Sequence, residues 1–244
     1  MLTLHRAALL LPDPADPTAP SLVDGAVVVR GELVEAVGPY EELAAAHPAA
    51  RVRDWGPAVL TPGLCNPCGQ RLLERDYHPD PREEIGVEPV VDGLVGCTDE
   101  TRYGASARRG LQRMLGFGVT AVAGPFERAS VRTAVGRSGL VALPGPAALS
   151  EPAASAGSPA EPVAGAGALD PLTVLPLARA VHGRVAVGGR ADFAVFPASP
   201  VSPASVVPQA SRAVPAASGP ENVGPAAGGC LATVLGGRLV YRRR

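Results

Sequence analysis

The sequence predicts a mixed α/β fold, and three observations predict it. Short runs rich in Val, Leu and Ala, of strand length and bounded by Gly or Pro, occupy both ends of the chain, at residues 2–11, 25–38 and 51–60, then at 183–196 and 231–241. Between them, residues 98–143 alternate helical and strand signals in the order expected of parallel strand pairing. Stretches dominated by Pro, Ala, Gly and Ser, at 144–168 and 197–229, interrupt the pattern.

The elements follow in order. Residues 2–11 read as a strand interrupted by His5 and Arg6, and the PDPADPTAPSL segment at 12–22 as a loop. Two β-branched runs flank Arg30-Gly31-Glu32, a hairpin signal in which Gly31 can take a positive φ. Pro39 suits the first position of a helix that Pro48 stops, with His47 at its C-terminal end as a cation favoured by the helix dipole. Residues 51–60 lead as a strand into Thr61-Pro62-Gly63-Leu64. Residues 65–97 lack periodicity and carry Pro79, Pro81 and Pro89, so they read as a long loop. Thr98 or Asp99 caps a helix to about Leu115, with Tyr103, Ala107, Leu111 and Met114 on one side. A strand at 119–123, a helix at about 130–136 and a strand at 140–143 complete the central run. The PGPAALSEPAASAGSPAEPVAGAGA segment reads as a flexible linker, and a helix is expected from Leu169 to Ala180. Residues 197–229 read as a mobile loop, and Gly236-Gly237 as the turn of a last hairpin. The expected core includes Val27, Val29, Val34, Val37, Leu60, Leu111, Val119, Val122, Val195, Val234 and Leu239, with Trp55, the sole tryptophan, at a strand end.

Composition narrows the function. A chain of 244 residues makes one or two domains and buries a real core. With 22 basic and 23 acidic residues and a net charge of -1, there is no electrostatic case for a nucleic acid or anionic membrane partner. Every basic residue is Arg; without Lys, neither a carbamylated metal bridge nor a Schiff base can form. No apolar run approaches the ~20 residues that span a bilayer. The run Ala7–Leu11 is too short for a signal-peptide core and is cut by Pro12, so a cytoplasmic location is expected. The four cysteines, Cys65, Cys68, Cys97 and Cys230, then read as free thiols, metal ligands or a redox pair rather than a disulfide framework.

The segment Thr61-Pro62-Gly63-Leu64-Cys65-Asn66-Pro67-Cys68-Gly69-Gln70 resembles the TPGLVNAHTH signature of the amidohydrolase superfamily, imidazolonepropionases among them. The resemblance extends to DGAVVVRGELVEAVGP, to LQRMLGFGVTAVAGP, to the GRVAVGGRADFAVF closing motif and to the last hairpin. It implies a small β-sandwich, the composite domain, built from residues 1–62 and 183–244, with a partial (β/α) barrel remnant at 63–143 inserted in it and a linker at 144–170. The signature's two metal-binding histidines correspond here to Cys68 and Gln70. Barrel strands four to eight, which carry the family's other ligands and its catalytic aspartate, have no room between Pro144 and Leu172. Asp192 matches the AD of the closing motif, which lies away from the family's metal, so a turn or hydrogen-bonding role is expected for it.

Candidate site residues are correspondingly few. Cys65 and Cys68 form a C-x-x-C-G knuckle, and zinc is the only cofactor the sequence suggests. No second C-x-x-C accompanies it, so incidental thiols are the first reading, then metal, then redox chemistry. His78 and Asp80 are weaker candidates in the 65–97 loop. The expectation is a degenerate, non-catalytic relative with a binding or assembly role, through an unknown protein partner or a homodimer formed at exposed sheet edges. The competing expectation is a hydrolase of non-peptide carbon–nitrogen bonds in a cyclic amide or amidine, with a non-standard metal site.

Overall fold

A computed structural model describes residues 2–145, 166–200, 223–225 and 227–243. Its strands are β1 (Leu2–Leu10), β2 (Leu22–Arg30), β3 (Leu33–Pro39), β4 (Arg51–Asp54), β5 (Ala58–Pro62), β6 (Leu64–Asn66), β7 (Val119–Ala123), β8 (Val141–Leu143), β9 (Phe193–Pro200), β10 (Val223–Pro225), β11 (Ala232–Leu235) and β12 (Arg238–Arg242). The helices are α1 (Tyr40–Ala46), α2 (Gly69–Glu74), α3 (Glu100–Leu115), α4 (Ala129–Ser138) and α5 (Leu177–Ala180).

Nine strands are hydrogen-bonded into one mixed sheet, ordered β12-β11-β9-β5-β1-β2-β3, with β4 also on β1 and β10 also on β9. The small β-sandwich expected from the sequence would divide these strands between two stacked sheets; here they are joined. The reason is β5. All five of its residues are buried, and both of its edges are paired, parallel to β1 at Leu60 and Leu10 and antiparallel to β9 at Leu60 and Val195. The sheet brings its two ends together: Val27, Val29 and Val34 share a core with Phe193, Val195, Val234 and partly buried Leu239. At the rim, the Leu33–Arg190 bridge and the Ala191 amide, which donates to Glu32, tie β3 to the approach to β9. Both hairpin expectations hold: Gly31 has φ 62, and Gly236 and Gly237 have φ 53 and 72, the paired positive values of a tight two-residue turn.

The middle of the chain forms a separate three-stranded parallel sheet, β6-β7-β8, with no closed barrel. Asp99 caps α3 by accepting the Thr101 amide at 2.8 Å. One face of α3, with Tyr103, Ala107, Leu111 and Met114, is buried against β7 and α4. That core continues into the nine-stranded sheet through Ala194, Phe196 and Leu235. Gly118 marks the closest approach: it has φ 79, and a Cβ there would stand 2.8 Å from both Ala194 Cβ and Phe196 Cζ. Burying Phe196 alone is worth about 1.5–3 kcal/mol, so the two sheets stabilise each other.

Four local expectations need correction. Residues 65–97 are not one long loop; they contain the end of β6, α2, a 3-10 turn at Pro81–Glu83 and a Tyr77–Val90 bridge. The helix expected from Leu169 to Ala180 is broken by Pro171 and Pro176 into a 3-10 turn at Pro171–Thr173 and the four-residue α5. The expected linker lies outside the described residues at 146–165, but its last residues form a 3-10 turn in which Ala168 and Leu169 are buried. The expected mobile loop at 197–229 gives way to strand pairing of β10 on β9, while 201–222 lies outside the described residues. Among the described residues, no helix is long and apolar enough to cross a membrane.

Candidate functional site

In parallel α/β sheets, ligands bind beyond the carboxyl ends of the strands. Here those ends carry Asn66-Pro67-Cys68 after β6, Gly124 after β7 and Pro144 after β8. Gly63, within the signature, allows the backbone entering β6 to approach β7, since a Cβ would fall inside the side chain of Thr120. β6 then pairs with β7, Cys65 opposite Ala121 and Asn66 opposite Val122. The outer edge of β6 is covered by the segment after α5: the His182 amide donates to Gly63 O at 2.7 Å, and Leu64 bridges to Val181.

The strand ends are largely closed. Asn66 is fully buried; its Nδ2 donates to Ala168 O at 2.8 Å and its Oδ1 accepts the Cys68 amide at 2.9 Å. This ties the turn at 166–169 over the end of β6, a role not anticipated from the sequence. At α2 the helix begins directly against β7, for a Cβ on Gly69 would stand 2.6 Å from Ala123 O.

The four sequence candidates do not converge. Cys65 is buried within β6, and burial alone pushes its thiol up to about 12. Cys68, half-buried at the start of α2, is also raised by burial, with Arg71 opposing that and Asp76 adding to it. Both thiols are therefore held away from the thiolate that acts as ligand or nucleophile. His78 is completely buried, its ring nitrogen Nε2 2.8 Å from Leu72 O, and burial pushes it down to about 4. Its backbone is held by the Ser106 hydroxyl, which accepts the His78 amide at 2.9 Å, and by Arg109 Nε, which donates to His78 O at 2.7 Å. Asp80 caps the 3-10 turn, accepting the Arg82 amide at 3.0 Å, and lies 3.7 Å from Arg109 Nη1. Asp192 accepts the Gly236 amide at 2.6 Å and pairs with Arg190 at 2.9 Å, the turn role expected of it.

One buried acid was passed over in the sequence. Asp76 is fully buried behind α2; its Oδ1 accepts the Asp92 amide at 2.9 Å, and its Oδ2 is 3.9 Å from Arg71 Nε. Burial raises its pKa first, against the opposing pull of that amide and of Arg71. Its place in the run Glu74–Asp80 was visible, but nothing in the spacing distinguished it from Glu74 and Asp80, the run's other two acids, which are only partly buried.

A catalytic metal of the kind the resemblance implies needs about three protein ligands and an open position. Among the described residues, no three His, Cys, Asp or Glu groups come together in that way. With Cys68 and Gln70 at the signature's histidine positions and His78 turned onto Leu72 O, these residues do not fit that metal.

Residues 25–50, most of β2 with β3 and α1, match the bacterial imidazolonepropionase-like composite domain. The chain is 32% identical over 112 residues to imidazolonepropionase of Pyrobaculum arsenaticum, covering 41% of this chain and 28% of that protein. Among solved structures it is similar to guanine deaminase from Bradyrhizobium japonicum, at 19% identity and a TM-score of 0.42, over 58% of this chain and 34% of that one. An adenosine deaminase from Xanthomonas campestris with bound zinc gives 21% identity and a TM-score of 0.40, over 58% and 33%. The chain thus spans about a third or less of the length of each of these relatives. Together with the TPGL signature, the composite-domain match and the imidazolonepropionase alignment support a relationship of this chain to the amidohydrolase superfamily.

Proposed function

We propose that this chain is a non-catalytic relative of imidazolonepropionase that serves in binding or assembly, through a protein partner or a second copy of itself. The observation that carries the reading is the fate of the signature. Cys68 and Gln70 occupy the histidine positions, and the nearby His78 points its Nε2 at a backbone carbonyl inside the core. Supporting it is the segment between α2 and α3, where Ile85, Val87, Val91 and Val95 are 61%, 59%, 42% and 62% exposed. Clustered exposed aliphatic side chains are the surface signature of a contact face. β8 adds an edge with no strand beyond it among the described residues.

The test is metal content by elemental mass spectrometry on tag-free protein purified without chelator, beside a Cys68→Ser variant. It is run with turnover assays on cyclic amides and amidines and with light scattering across a concentration series. The reading expects metal at background, no turnover, and self-association or capture of a partner that Val87→Asp with Val91→Asp weakens. Stoichiometric zinc lost in Cys68→Ser, together with turnover, would replace it with the hydrolase of non-peptide carbon–nitrogen bonds, using Cys65 and Cys68 as ligands.

A further inference from the structure

A second cluster of functional groups lies outside the signature, on β4, which precedes it in the chain, and on β12. Arg51, Val52, Arg53, Asp54 and Trp55 line a recess of about 320 Å³ with Leu239 and Arg242. Five consecutive residues line it, as a strand seen from its edge does, and among the described strands β4 is paired only with β1. The volume lies at the small end of the range for small-molecule sites, roughly 300–1,000 Å³.

The charge of the recess is one-sided. Its single carboxylate, Asp54, is already engaged: Oδ2 accepts from Arg6 Nη1 at 3.1 Å and Oδ1 accepts the Gly56 amide at 2.8 Å. Arg51, Arg53 and Arg242 have no carboxylate partner among the described residues. Arg242 is held over the Trp55 ring, its guanidinium carbon 5.8 Å from the centroid, and His5 lies on the indole as well, at 6.1 Å between ring centroids. Trp55 is thereby fixed, and it holds one of the three cations in place. Arg53 is half-buried; burial first, then Arg51 and Arg242, push its pKa down. A guanidinium does not give up its proton at neutral pH, so the crowding of like charges is relieved by a counter-anion rather than by titration.

We propose that this recess binds a small phosphate-class oxyanion, held by the guanidinium forks of Arg51, Arg53 and Arg242. Planar forks match the paired oxygens of phosphate better than they match a monatomic anion, and three of them suit a ligand carrying two or more charges.

The sole tryptophan reports on the site directly. Emission of Trp55 is titrated with inorganic pyrophosphate against sodium chloride of equal ionic strength, and calorimetry measures the same binding. A saturable change with pyrophosphate and none with chloride is expected. Arg53→Gln and Arg242→Gln, checked for folding by circular dichroism, each weaken binding by about tenfold or more, the loss of one charge-assisted contact. Arg137→Gln, an exposed arginine of α4, leaves it unchanged. A response that follows ionic strength alone, or that survives both recess substitutions, overturns the proposal. A third arm adds phosphatidylcholine vesicles carrying phosphatidic acid. Binding to these with no response to soluble pyrophosphate would assign the arginines to a lipid surface and also overturn it.

Discussion

Gly110 of α3 faces His78 so closely that a Cβ would stand 2.6 Å from the imidazole Nε2 and 2.7 Å from its Cδ2. The helix is cut to fit a ring that is itself pinned to Leu72 O. Gly110→Ala gains roughly 1 kcal/mol of helix propensity, but forcing a methyl into a packed core costs about 1–3 kcal/mol. The expected net loss, up to about 2 kcal/mol, is read from urea denaturation. A gain in stability would mean that the ring moves aside freely, and that its burial is not what fixes α3.

The buried histidines set the acid limit of the fold. Burial holds His78 at about 4 and His5 at about 3, both below the unfolded value of 6.5. A lowered histidine pKa means that the unfolded chain binds the proton first, so stability is full above about pH 6.5 and falls as the pH drops toward 4. Within that window each such group contributes a slope of about 1.4 kcal/mol per pH unit. Asp76 and Asp192, raised by burial, take up protons in the folded state more readily and act in the opposite sense. The informative quantity is therefore the difference between wild type and His78→Gln, whose urea midpoint should fall less steeply between pH 6.5 and 4.5. Parallel profiles would refute the assignment.

Thr120 carries a buried hydroxyl with no hydrogen-bond partner among the described residues, on the strand that Gly63 packs against. Thr120→Val keeps the shape and removes the unpaired group, so it should be neutral or stabilise by up to ~1 kcal/mol. Gly63→Ala should lose at least ~1–3 kcal/mol, because its methyl would overlap Thr120. Thermal melts of the two variants should move in opposite directions, or only Gly63→Ala should move.

Thiol chemistry distinguishes the cysteines. Cys65 and Cys230 are buried and their pKa values are raised by burial, whereas Cys68 and Cys97 are partly exposed. Iodoacetamide at pH 8 should label Cys97 and, more slowly because burial raises its thiol, Cys68 in the native protein, and reach Cys65 and Cys230 only after denaturant is added. Rapid native labelling of Cys65, located by mass spectrometry, would contradict a closed β6.

The sequence announced its strands where composition and turn chemistry agreed. Gly31 and the Gly236–Gly237 pair marked hairpins because only glycine takes those positive φ values cheaply. The α3 stripe of Tyr103, Ala107, Leu111 and Met114 was legible because its period is helical. Val37 and Leu239 were expected in the core and are only partly buried, near the sheet's outer strands. What escaped was non-local. Nothing around Ala58–Pro62 reveals that both of its edges are taken, and that pairing decides between one sheet and two. Helix α2 was hidden because six residues beginning at Gly69 give too short a window for periodicity. The site was read in the same uneven way. The replacement of the signature histidines was plain, but the burial of His78 and Asp76 depends on α3 and on the residues before it packing over them, and the Arg51–Arg53–Arg242 recess joins strands from opposite ends of the chain.

The doubly paired β5 also governs how the molecule is made. Leu60 meets Val195 across more than half the length of the chain, so this ladder closes a very long loop. Contacts of such range slow folding. During synthesis, residues 2–62 leave the ribosome long before β9 exists, and the Ala58–Pro62 edge waits unpaired on that side. A nascent chain of this kind has its β5 edge unpaired until residues 193–197 arrive.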